Sequence, residues 1–516
     1  MSGTWPTGLP WSLDYPAVPV GAIVAGSARR FGDRVAFRHG EVELSFEELW
    51  RRACRCANGL AARGVGRGTR AALRMPNCLA FPVAYYGVLL AGATVVPVSP
   101  LLPDSEAAAR IDDAGAVMVL TEDDVAELCA GADERPPDVI VDVTADLAHL
   151  AYTGGTTGTS KGVELTHRNV VVNTVQHACW HHGCLPGLDP HGGIALDQVG
   201  SAEEWPVRLG TGAFVNLMPW HHAMGLIAGL NLPVLAGMTT IIHDRFDPAA
   251  YLADVQRFRV TYLAGAPTLY AGLLSCPEID TTDLSSVRAI GSGGAALPHR
   301  IIDELRARMP DAVLCEGYGL TEVTMGATNP PANRSGTRKP GSVGVAMFDT
   351  ELRIVPLDGS ETAGEVHIRG PQVMRGYHDQ PAATREVLVD GWLRTGDIGM
   401  LDEQGYLTLI DRAKDMLVYK GYNVYPRELE RLLLAHSSIT AAAVVGRPDD
   451  SVGELPVAFV VTAAGHTADP AELMEMVNEQ VAPYQKLREV HLVDQLPVSA
   501  AGKVLKRELR RRLTDS

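Results

Sequence analysis

Helical and strand-like hydrophobic patterns alternate along the first 120 residues, and this alternation restricts the possible folds more than any other feature. Phe46–Arg63 carries apolar residues at helical spacing, among them Ala61 near its end. Arg70–Met75 and Thr94–Pro97 are short apolar segments typical of strands, and Leu79–Ala91 between them predicts a helix. This order predicts an α/β fold in which mostly parallel sheets are flanked by helices.

The character of the chain changes twice further on. Strand patterns separated by Asp-Gly and Gln-Gly turns predict a β-rich subdomain at about 340–412. Charged helices dominate the last hundred residues, and we place a boundary near Asp411–Lys414. The predicted organisation is a large N-terminal domain at 1–412 and a small α+β C-terminal domain at 413–516.

Composition excludes several classes of protein. The chain has 516 residues, of which 46% are hydrophobic, so a large core can form and general disorder is excluded. The formal net charge of −16 argues against a broad basic surface for nucleic acid. The eight cysteines show no disulfide spacing, and the N-terminus has no secretion signal, so we expect a cytoplasmic protein.

One uncharged stretch, Ala223–Ile242, is long enough to raise the question of a membrane span. Asn231, Pro233 and Gly237 interrupt it. We therefore predict a buried helix followed by a buried strand, and no transmembrane segment.

The segment Leu150–His167 carries the clearest chemical signal. An apolar lead-in, typical of a strand, runs into a stretch of glycines and threonines that ends at Ser160 and Lys161. Glycines let backbone N–H groups face an anion, threonine hydroxyls add donors, and the lysine adds a positive charge. The segment predicts a phosphate-binding loop, although it is not a Walker A motif, because Ser160 stands where that motif has glycine.

This segment resembles the phosphate loop of the adenylate-forming superfamily, which includes acyl-CoA synthetases, peptide-synthetase adenylation domains and firefly-type luciferases. It is most similar to bacterial fatty acyl-CoA synthetases. Gly155 and Ser160 stand where the common family form has serine and proline. Four further motifs follow in the family's order, so that the resemblance extends from Leu150 to Lys503.

The resemblance implies a site for ATP and Mg²⁺. The residues that it assigns to the nucleotide are Thr153, Gly154, Gly155, Thr156, Thr157, Gly158 and Lys161 around the phosphates, Gly293, Gly294 and Ala295 beside adenine, Glu316, Gly317 and Tyr318 in the next motif, Thr321 at the α-phosphate, and Asp397 and Arg412 at the ribose. Tyr318 would stack on adenine. Glu322 would hold Mg²⁺, for which a carboxylate is a suitable ligand.

The resemblance also implies two reaction steps that share one site. Lys503 would stabilise the charge that develops when the acid attacks ATP, together with Thr156 and Glu322. Gly421 would later let the pantetheine arm of coenzyme A pass close to the backbone. Since both Lys503 and Gly421 belong to the C-terminal domain, that domain would rotate, with Lys414 as the hinge.

The acid is less well defined by the sequence. His222 and Gly319 match positions beside the acyl pocket, and the stretch around His222 has no aspartate for an amino group. An apolar carboxylic acid is therefore favoured. The histidines and cysteines between His177 and Cys184 have no recognised zinc spacing and favour a structural or pocket-lining role. Gly183–Leu209 after them predicts a long irregular loop, either a lid or an insertion.

Other functions remain open at this point. A ligase that loads an acyl-carrier protein, or an enzyme that retains the thioester step but adenylates weakly, would share these motifs. Gly155, Val498 and Ala501 depart from the family pattern and motivate the second of these. A non-catalytic nucleotide sensor is disfavoured because Glu322 and Lys503 are present, and a luciferase-like oxygenase would need chemistry that no motif here indicates.

Overall fold

The computed structural model describes residues 3–131, 133–153, 160–357, 363–420, 422–449, 451–463, 465–498 and 504–514. Its α-helices, in chain order, are α1 (Gly21–Phe31), α2 (Phe46–Ala62), α3 (Ala80–Leu90), α4 (Asp104–Asp113), α5 (Glu122–Leu128), α6 (His167–His182), α7 (Ala223–Leu226), α8 (Leu232–Ala236), α9 (Pro248–Arg257), α10 (Pro267–Leu274), α11 (His299–Arg308), α12 (Pro381–Val387), α13 (Pro426–Leu434), α14 (Pro470–Asn478) and α15 (Lys506–Thr514). A π-helical turn, Ile227–Asn231, joins α7 to α8.

The strands form several sheets. In chain order they are β1 (Val35–His39), β2 (Val42–Ser45), β3 (Arg70–Leu73), β4 (Thr94–Pro97), β5 (Met118–Leu120), β6 (Leu147–Tyr152), β7 (Gly162–Thr166), β8 (Cys184–Leu188), β9 (Ile194–Gln198), β10 (Ala213–Asn216), β11 (Thr239–Ile242), β12 (Tyr262–Gly265), β13 (Ala289–Ser292), β14 (Val313–Glu316), β15 (Thr328–Asn329), β16 (Val345–Ala346), β17 (Glu351–Pro356), β18 (Gly364–Arg369), β19 (Gly376–Tyr377), β20 (Leu388–Val389), β21 (Trp392–Leu401), β22 (Leu407–Arg412), β23 (Leu417–Tyr419), β24 (Tyr422–Val424), β25 (Ile439–Asp449), β26 (Gly453–Thr462) and β27 (Glu489–Leu492).

The predicted α/β class is confirmed. One sheet has the order β19-β7-β6-β4-β3-β5, in which β3 to β6 pair in parallel. A second has the order β10-β11-β1-β2, and a third, β12-β13-β14, is wholly parallel. Helices cover these sheets because their strands carry apolar side chains on both faces.

Helix α2 shows how local sequence determines these elements. Ser45 caps its N-terminus, where the side-chain Oγ accepts a hydrogen bond from the backbone N–H of Glu48 at 3.2 Å. Phe46 and Leu49 begin a buried apolar face that packs into the main core. Ala61 was expected on this face but is exposed, because the last turn of the helix has rotated away from the core.

The β-rich segment and the C-terminal residues form separate sheets. Strands β17, β18, β20, β21 and β22 make an antiparallel sheet that ends at Arg412. After a turn at 413–415 the chain enters another sheet, β24-β23-β26-β25 with β27 beside β26, and this sheet has its own apolar clusters with α13, α14 and α15. The division into domains at 412 and the mobility of the second part stay predictions.

The uncharged stretch before β11 is a buried helical segment followed by a buried strand, as predicted. Across the part of the chain that the structure describes, every helix is too short or too polar to span a bilayer.

The prediction of an irregular loop at Gly183–Leu209 was wrong. Strands β8 and β9 form a hairpin there, and Trp205 beyond it is fully buried. Gly183 and Gly200 have φ angles of 61° and 65°, and a Cβ on Gly183 would overlap the indole ring of Trp205. The two glycines therefore let the backbone close around this tryptophan.

Candidate functional site

Asp397 and Arg412 lie opposite each other on neighbouring strands. Their Cα atoms are register partners in the β21–β22 pair, and Nε of Arg412 donates to Oδ1 of Asp397 at 3.1 Å. Asp397 is 7% exposed. Thr395 helps to fix the strand, since its Oγ1 accepts the backbone N–H of Asp397 at 3.0 Å. The pairing brings together the two residues that the sequence assigned to the ribose.

Tyr318 reaches the same carboxylate from a different sheet. It follows β14, and its hydroxyl donates to Oδ2 of Asp397 at 2.6 Å. Burial, and then the charge and hydrogen bond of Asp397, raise the pKa of Tyr318 well above its usual value. The phenol therefore stays protonated and acts as a donor. Each oxygen of Asp397 has one protein donor and a further lone pair, so the carboxylate can still accept hydroxyl groups of a ligand.

The carboxyl ends of the parallel strands β13 and β14 lead into the two predicted adenine motifs. Gly293 and Gly317 follow these strands directly, and the N–H of Gly317 donates to the carbonyl of Ser292 at 3.0 Å. Gly294 has a φ of 82°, and Ala295 beside it is exposed. Ligands of α/β proteins bind at the carboxyl ends of such strands, so this edge is suitably placed for a nucleotide base.

Glu316, the last residue of β14, is buried at this edge. Its Oε1 accepts the backbone N–H of Leu297 at 3.2 Å. Burial raises the pKa of Glu316 to about 7, although the Leu297 hydrogen bond and the charge of Arg427 oppose this shift. The carboxyl group thus fixes the loop after β13 to the end of β14.

The raised pKa predicts a pH dependence of stability. The folded protein binds the Glu316 proton more tightly than the unfolded chain, so its contribution is complete at low pH and is lost as the pH rises from about 4.5 to about 7. Relative to Glu316→Gln, we expect the wild type to lose up to about 3 kcal/mol across this range. Denaturant unfolding at a series of pH values measures the difference. Glu351→Gln, at an exposed carboxylate, is the control, and an equal change in both variants would contradict the assignment.

Glu322, Tyr377 and Lys161 form a second cluster. The hydroxyl of Tyr377 donates to Oε1 of Glu322 at 2.9 Å, and Nζ of Lys161 lies 4.7 Å from the centroid of the Tyr377 ring. Strand β19 brings Tyr377 there because it pairs with β7, which begins one residue after Lys161. The backbone N–H of Met374 also donates to the carbonyl of Glu322 at 2.8 Å.

Tyr377 is the site residue that sequence reasoning missed. It stands in a two-residue strand with neither helical nor strand periodicity around it. Only the pairing of β19 with β7 places it between the predicted Lys161 and Glu322. Thr321, which begins the short 3₁₀ turn Thr321–Val323, lies beside this cluster in sequence.

The phosphate loop is described at its two ends. Strands β6 and β7 pair antiparallel, and the N–H of Thr153 donates to the carbonyl of Lys161 at 3.0 Å. The loop therefore closes between two adjacent strands of the largest sheet. The predicted residues Gly154, Gly155, Thr156, Thr157 and Gly158 lie outside the described residues.

Lys414 occupies the turn between the last strand of the β-rich sheet and the first strand of the C-terminal sheet. Burial and the charge of Arg412 lower its pKa. Next to it, Asp415 accepts a hydrogen bond from Arg510 of α15 at 3.2 Å. The predicted Lys503 and Gly421 fall outside the described parts of the chain.

The predicted acyl-pocket residues lie near the same strand ends. His222 is the N-cap residue of α7, and the ring of His221 lies 6.2 Å from its ring. Burial lowers the pKa of His221 to about 4, so that this ring is neutral at pH 7. Two residues on, Met224 lies close enough that a Cβ on Gly293 would be 3.5 Å from its Sδ. Gly319 is enclosed by backbone, since a Cβ there would overlap the carbonyl of Met325.

The His177–Cys184 segment lies at the end of α6 and the start of β8, and most of its side chains are buried. In the described residues, no three histidine, cysteine or acidic side chains are grouped so that they could hold a metal ion. Cys179 and Cys184 belong to the main apolar core.

Comparison with known proteins gives consistent matches. A family model described as AMP-binding enzyme matches residues 24–378, and one described as AMP-binding enzyme C-terminal domain matches residues 428–503. The chain is 32% identical to a long-chain-fatty-acid–CoA ligase of Bacillus subtilis (strain 168), covering 99% of this chain and 98% of that protein. It is 36% identical to a feruloyl-CoA synthase of Amycolatopsis sp, covering 94% and 97%. The solved structure of ATP-bound MatB from Rhodopseudomonas palustris has a TM-score of 0.84 at 29% identity, covering 96% and 99%.

Proposed function

The chain belongs to the AMP-binding enzyme family and is an acid–thiol ligase that acts through an acyl-adenylate, and we propose that its acid is an apolar carboxylic acid and its acceptor coenzyme A. The relatives named above act on a long-chain fatty acid and on a feruloyl group, which share an apolar body behind one carboxylate. The structure describes the pocket in which such a body would lie.

The observation that carries the proposal is the uncharged face of the parallel sheet β12-β13-β14. In the parallel register, Ala264, Gly291 and Cys315 stand side by side on one face, and their small side chains leave room beside the sheet. Met224 and Leu232, from the helical segment opposite, are apolar. A second carboxylate or an ammonium group would have no charged partner on this face, so an apolar body is favoured.

In the first step, a carboxylate oxygen of the acid bonds to the α-phosphorus of ATP, and the bond to pyrophosphate breaks. In the second step, the thiol of coenzyme A bonds to the acyl carbon and loses its proton, and AMP leaves with the bonding electron pair. Asp397, held by Tyr318 and Arg412, would accept the ribose hydroxyls and thereby hold the nucleotide in place for both steps.

Glu322 would provide the protein ligand for Mg²⁺. A single carboxylate together with phosphate oxygens suits this ion, which usually binds proteins through one or two carboxylates and keeps several waters. The hydroxyl of Tyr377 holds Oε1 of Glu322 in place and leaves the other carboxylate oxygen without a hydrogen bond from the described residues. Lys161, on the ring of the same tyrosine, would face the phosphates.

Tyr377→Phe tests this cluster, because it removes the hydrogen bond to Glu322 and retains the ring beneath Lys161. A hydrogen bond to a charged group contributes roughly 1.5–3 kcal/mol, so ATP–pyrophosphate exchange should fall about tenfold or more, most strongly at low Mg²⁺. Tyr15→Phe is the matched control, since Tyr15 donates to Asp349 at 2.8 Å away from the site. A loss of the same size in both variants at every Mg²⁺ concentration would argue against the role of Tyr377.

A panel of acids with ATP and Mg²⁺ tests the proposed function. AMP and thioester are measured separately, with coenzyme A present, absent, or replaced by a holo acyl-carrier protein. Adenylation of apolar acids, followed by thioester formation with coenzyme A, is expected. Thioester on the carrier protein alone would assign the second acceptor, and thioester from supplied acyl-adenylate without adenylation would indicate the weakly adenylating alternative. Preference for an amino acid or a dicarboxylic acid would overturn the proposal.

A further inference from the structure

A small cavity lies deep beside the parallel sheet β12-β13-β14. Its volume is about 20 Å³, which is enough for one water-sized group. Most of its lining is apolar, including Leu232, Ile290 and Val313. Three polar side chains also line it, namely His181, His182 and Tyr262.

These polar groups lack partners. His182 is 3% exposed, and its Nδ1 donates to the carbonyl of Val207 at 3.0 Å, which makes its Nε2 a hydrogen-bond acceptor. That Nε2 has no partner in the described residues. The hydroxyl of Tyr262 and the ring of His181 likewise make no hydrogen bond to any residue that the structure describes, and their rings lie 6.3 Å apart. Buried polar groups are nearly always hydrogen-bonded, so this cavity calls for a polar occupant.

The cavity lies on the face that we assign to the acid. Tyr262 and Ala289 are register partners on neighbouring strands, on the same side of the sheet as Gly291. The Tyr262 hydroxyl lies over Gly291, where a Cβ would overlap it. Ala289 precedes the strand end at Ser292 by three residues, or about 10 Å along the strand. An acid with its carboxylate at the strand ends would therefore place its far end at the cavity.

A series of close contacts joins the predicted acyl-pocket residue Gly319 to the same cavity. Gly319 packs against Gly326, and a Cβ on Gly326 would overlap Nε2 of His177. The ring of His177 stacks on that of His181 at 5.9 Å and 11°. The loop after β14 and the end of α6 thus form one continuous wall from the strand ends to the cavity.

We propose that the acid carries a hydroxyl group at the end remote from its carboxylate, and that His181, His182 and Tyr262 bind this hydroxyl. This inference rests on the proposed function. A hydroxyl can donate to Nε2 of His182 and accept from Tyr262 or His181. A methoxy group cannot donate to that nitrogen, and a carboxylate would have no cationic partner, since burial lowers the pKa of His182 to about 4 and that of His181 well below 6.5.

Matched acids test the inference. A phenylpropanoic acid with a para hydroxyl is compared with the same acid without it and with its para methoxy ether. In the wild type we expect kcat/KM to be at least about tenfold higher for the hydroxy acid, because its absence leaves buried polar groups unpaired. Tyr262→Phe and His181→Phe should each lower this ratio several-fold while the unsubstituted acid is used as well as before, or better. Tyr251→Phe is the control, because Tyr251 is also a buried tyrosine with an unpartnered hydroxyl but lies in a different cluster.

Two results would overturn the inference and leave the proposed function intact. One is an active wild type that uses the hydroxy and unsubstituted acids equally, or prefers the methoxy ether. The other is a ratio that neither Tyr262→Phe nor His181→Phe changes in folded, active protein, since a structural water would then account for the cavity. Failure of the wild type to activate any acid would overturn the proposed function and, with it, this inference.

Discussion

Replacement of Lys503 by alanine should lower ATP–pyrophosphate exchange by about 10²–10³-fold, because one preorganised group that stabilises transition-state charge contributes roughly 3–4 kcal/mol. Conversion of a supplied acyl-adenylate to thioester should continue at nearly the wild-type rate. The prediction rests on the resemblance of the Gly502–Lys503 motif to the family's last motif. In the first step negative charge passes to the leaving pyrophosphate, whereas in the second the phosphate is already a part of the leaving AMP.

Two variants make the result specific. Lys506→Ala removes a neighbouring lysine that pairs with Glu430 at 2.7 Å, so it controls for the loss of one positive charge near the C-terminus. Gly421→Leu should give the opposite result to Lys503→Ala, with exchange retained and thioester formation lost, since a side chain would obstruct the pantetheine arm. Unchanged exchange in Lys503→Ala, or equal loss of both steps in each variant, would refute the division of roles.

This division of roles depends on the turn at 413–415. Lys503 and Gly421 both follow this turn in the chain, while Asp397 and Glu322 precede it. Two groups on one body that serve one site in succession require that body to move between the steps. The turn is short, and Arg412 before it already contacts the predicted ribose ligand, so a small change of backbone angles there would reorient everything beyond it.

Local sequence was sufficient to predict the regular elements but not how they close on one another. Helix α2 begins where its cap, Ser45, and its first buried residue, Phe46, indicate. The hairpin β8–β9 was missed because its stability comes from a distant contact, the insertion of Trp205 against Gly183 and Gly200. Two glycines in a polar stretch are equally typical of an irregular loop, so the sequence alone could not distinguish the two.

The site divides in the same way. The motifs around Asp397 and Arg412 predicted residues that the fold brings into direct contact, 15 positions apart, because adjacent strands place them opposite each other. Tyr377 could not be predicted, since its position depends on a two-residue strand pairing with β7. The polar lining of the cavity was visible as a histidine cluster, but spacing along α6 did not show that Tyr262 from another sheet completes it.

Asp397→Asn should raise the KM for ATP by about 10²-fold or more, because hydrogen bonds to a charged group contribute roughly 1.5–3 kcal/mol each and two ribose hydroxyls would lose such an acceptor. The fold increases the effect. Arg412 donates to one oxygen of Asp397 and Tyr318 to the other. Whichever way the asparagine amide is turned, its NH₂ group faces one of these donors, and a face-to-face pair of donors disturbs the geometry that holds the ribose.

The measurement is ATP–pyrophosphate exchange over a range of ATP concentrations, together with the unfolding midpoint of each variant. Asp402→Asn is the matched control, because Asp402 lies just beyond the same strand and caps the turn to β22 by accepting backbone N–H groups of Gln404 and Tyr406. Both variants should lose some stability, and Asp397→Asn alone should lose affinity for ATP. A KM for ATP that is unchanged in a folded Asp397→Asn enzyme would show that the Tyr318–Asp397–Arg412 arrangement braces two sheets against each other and takes no part in holding the nucleotide.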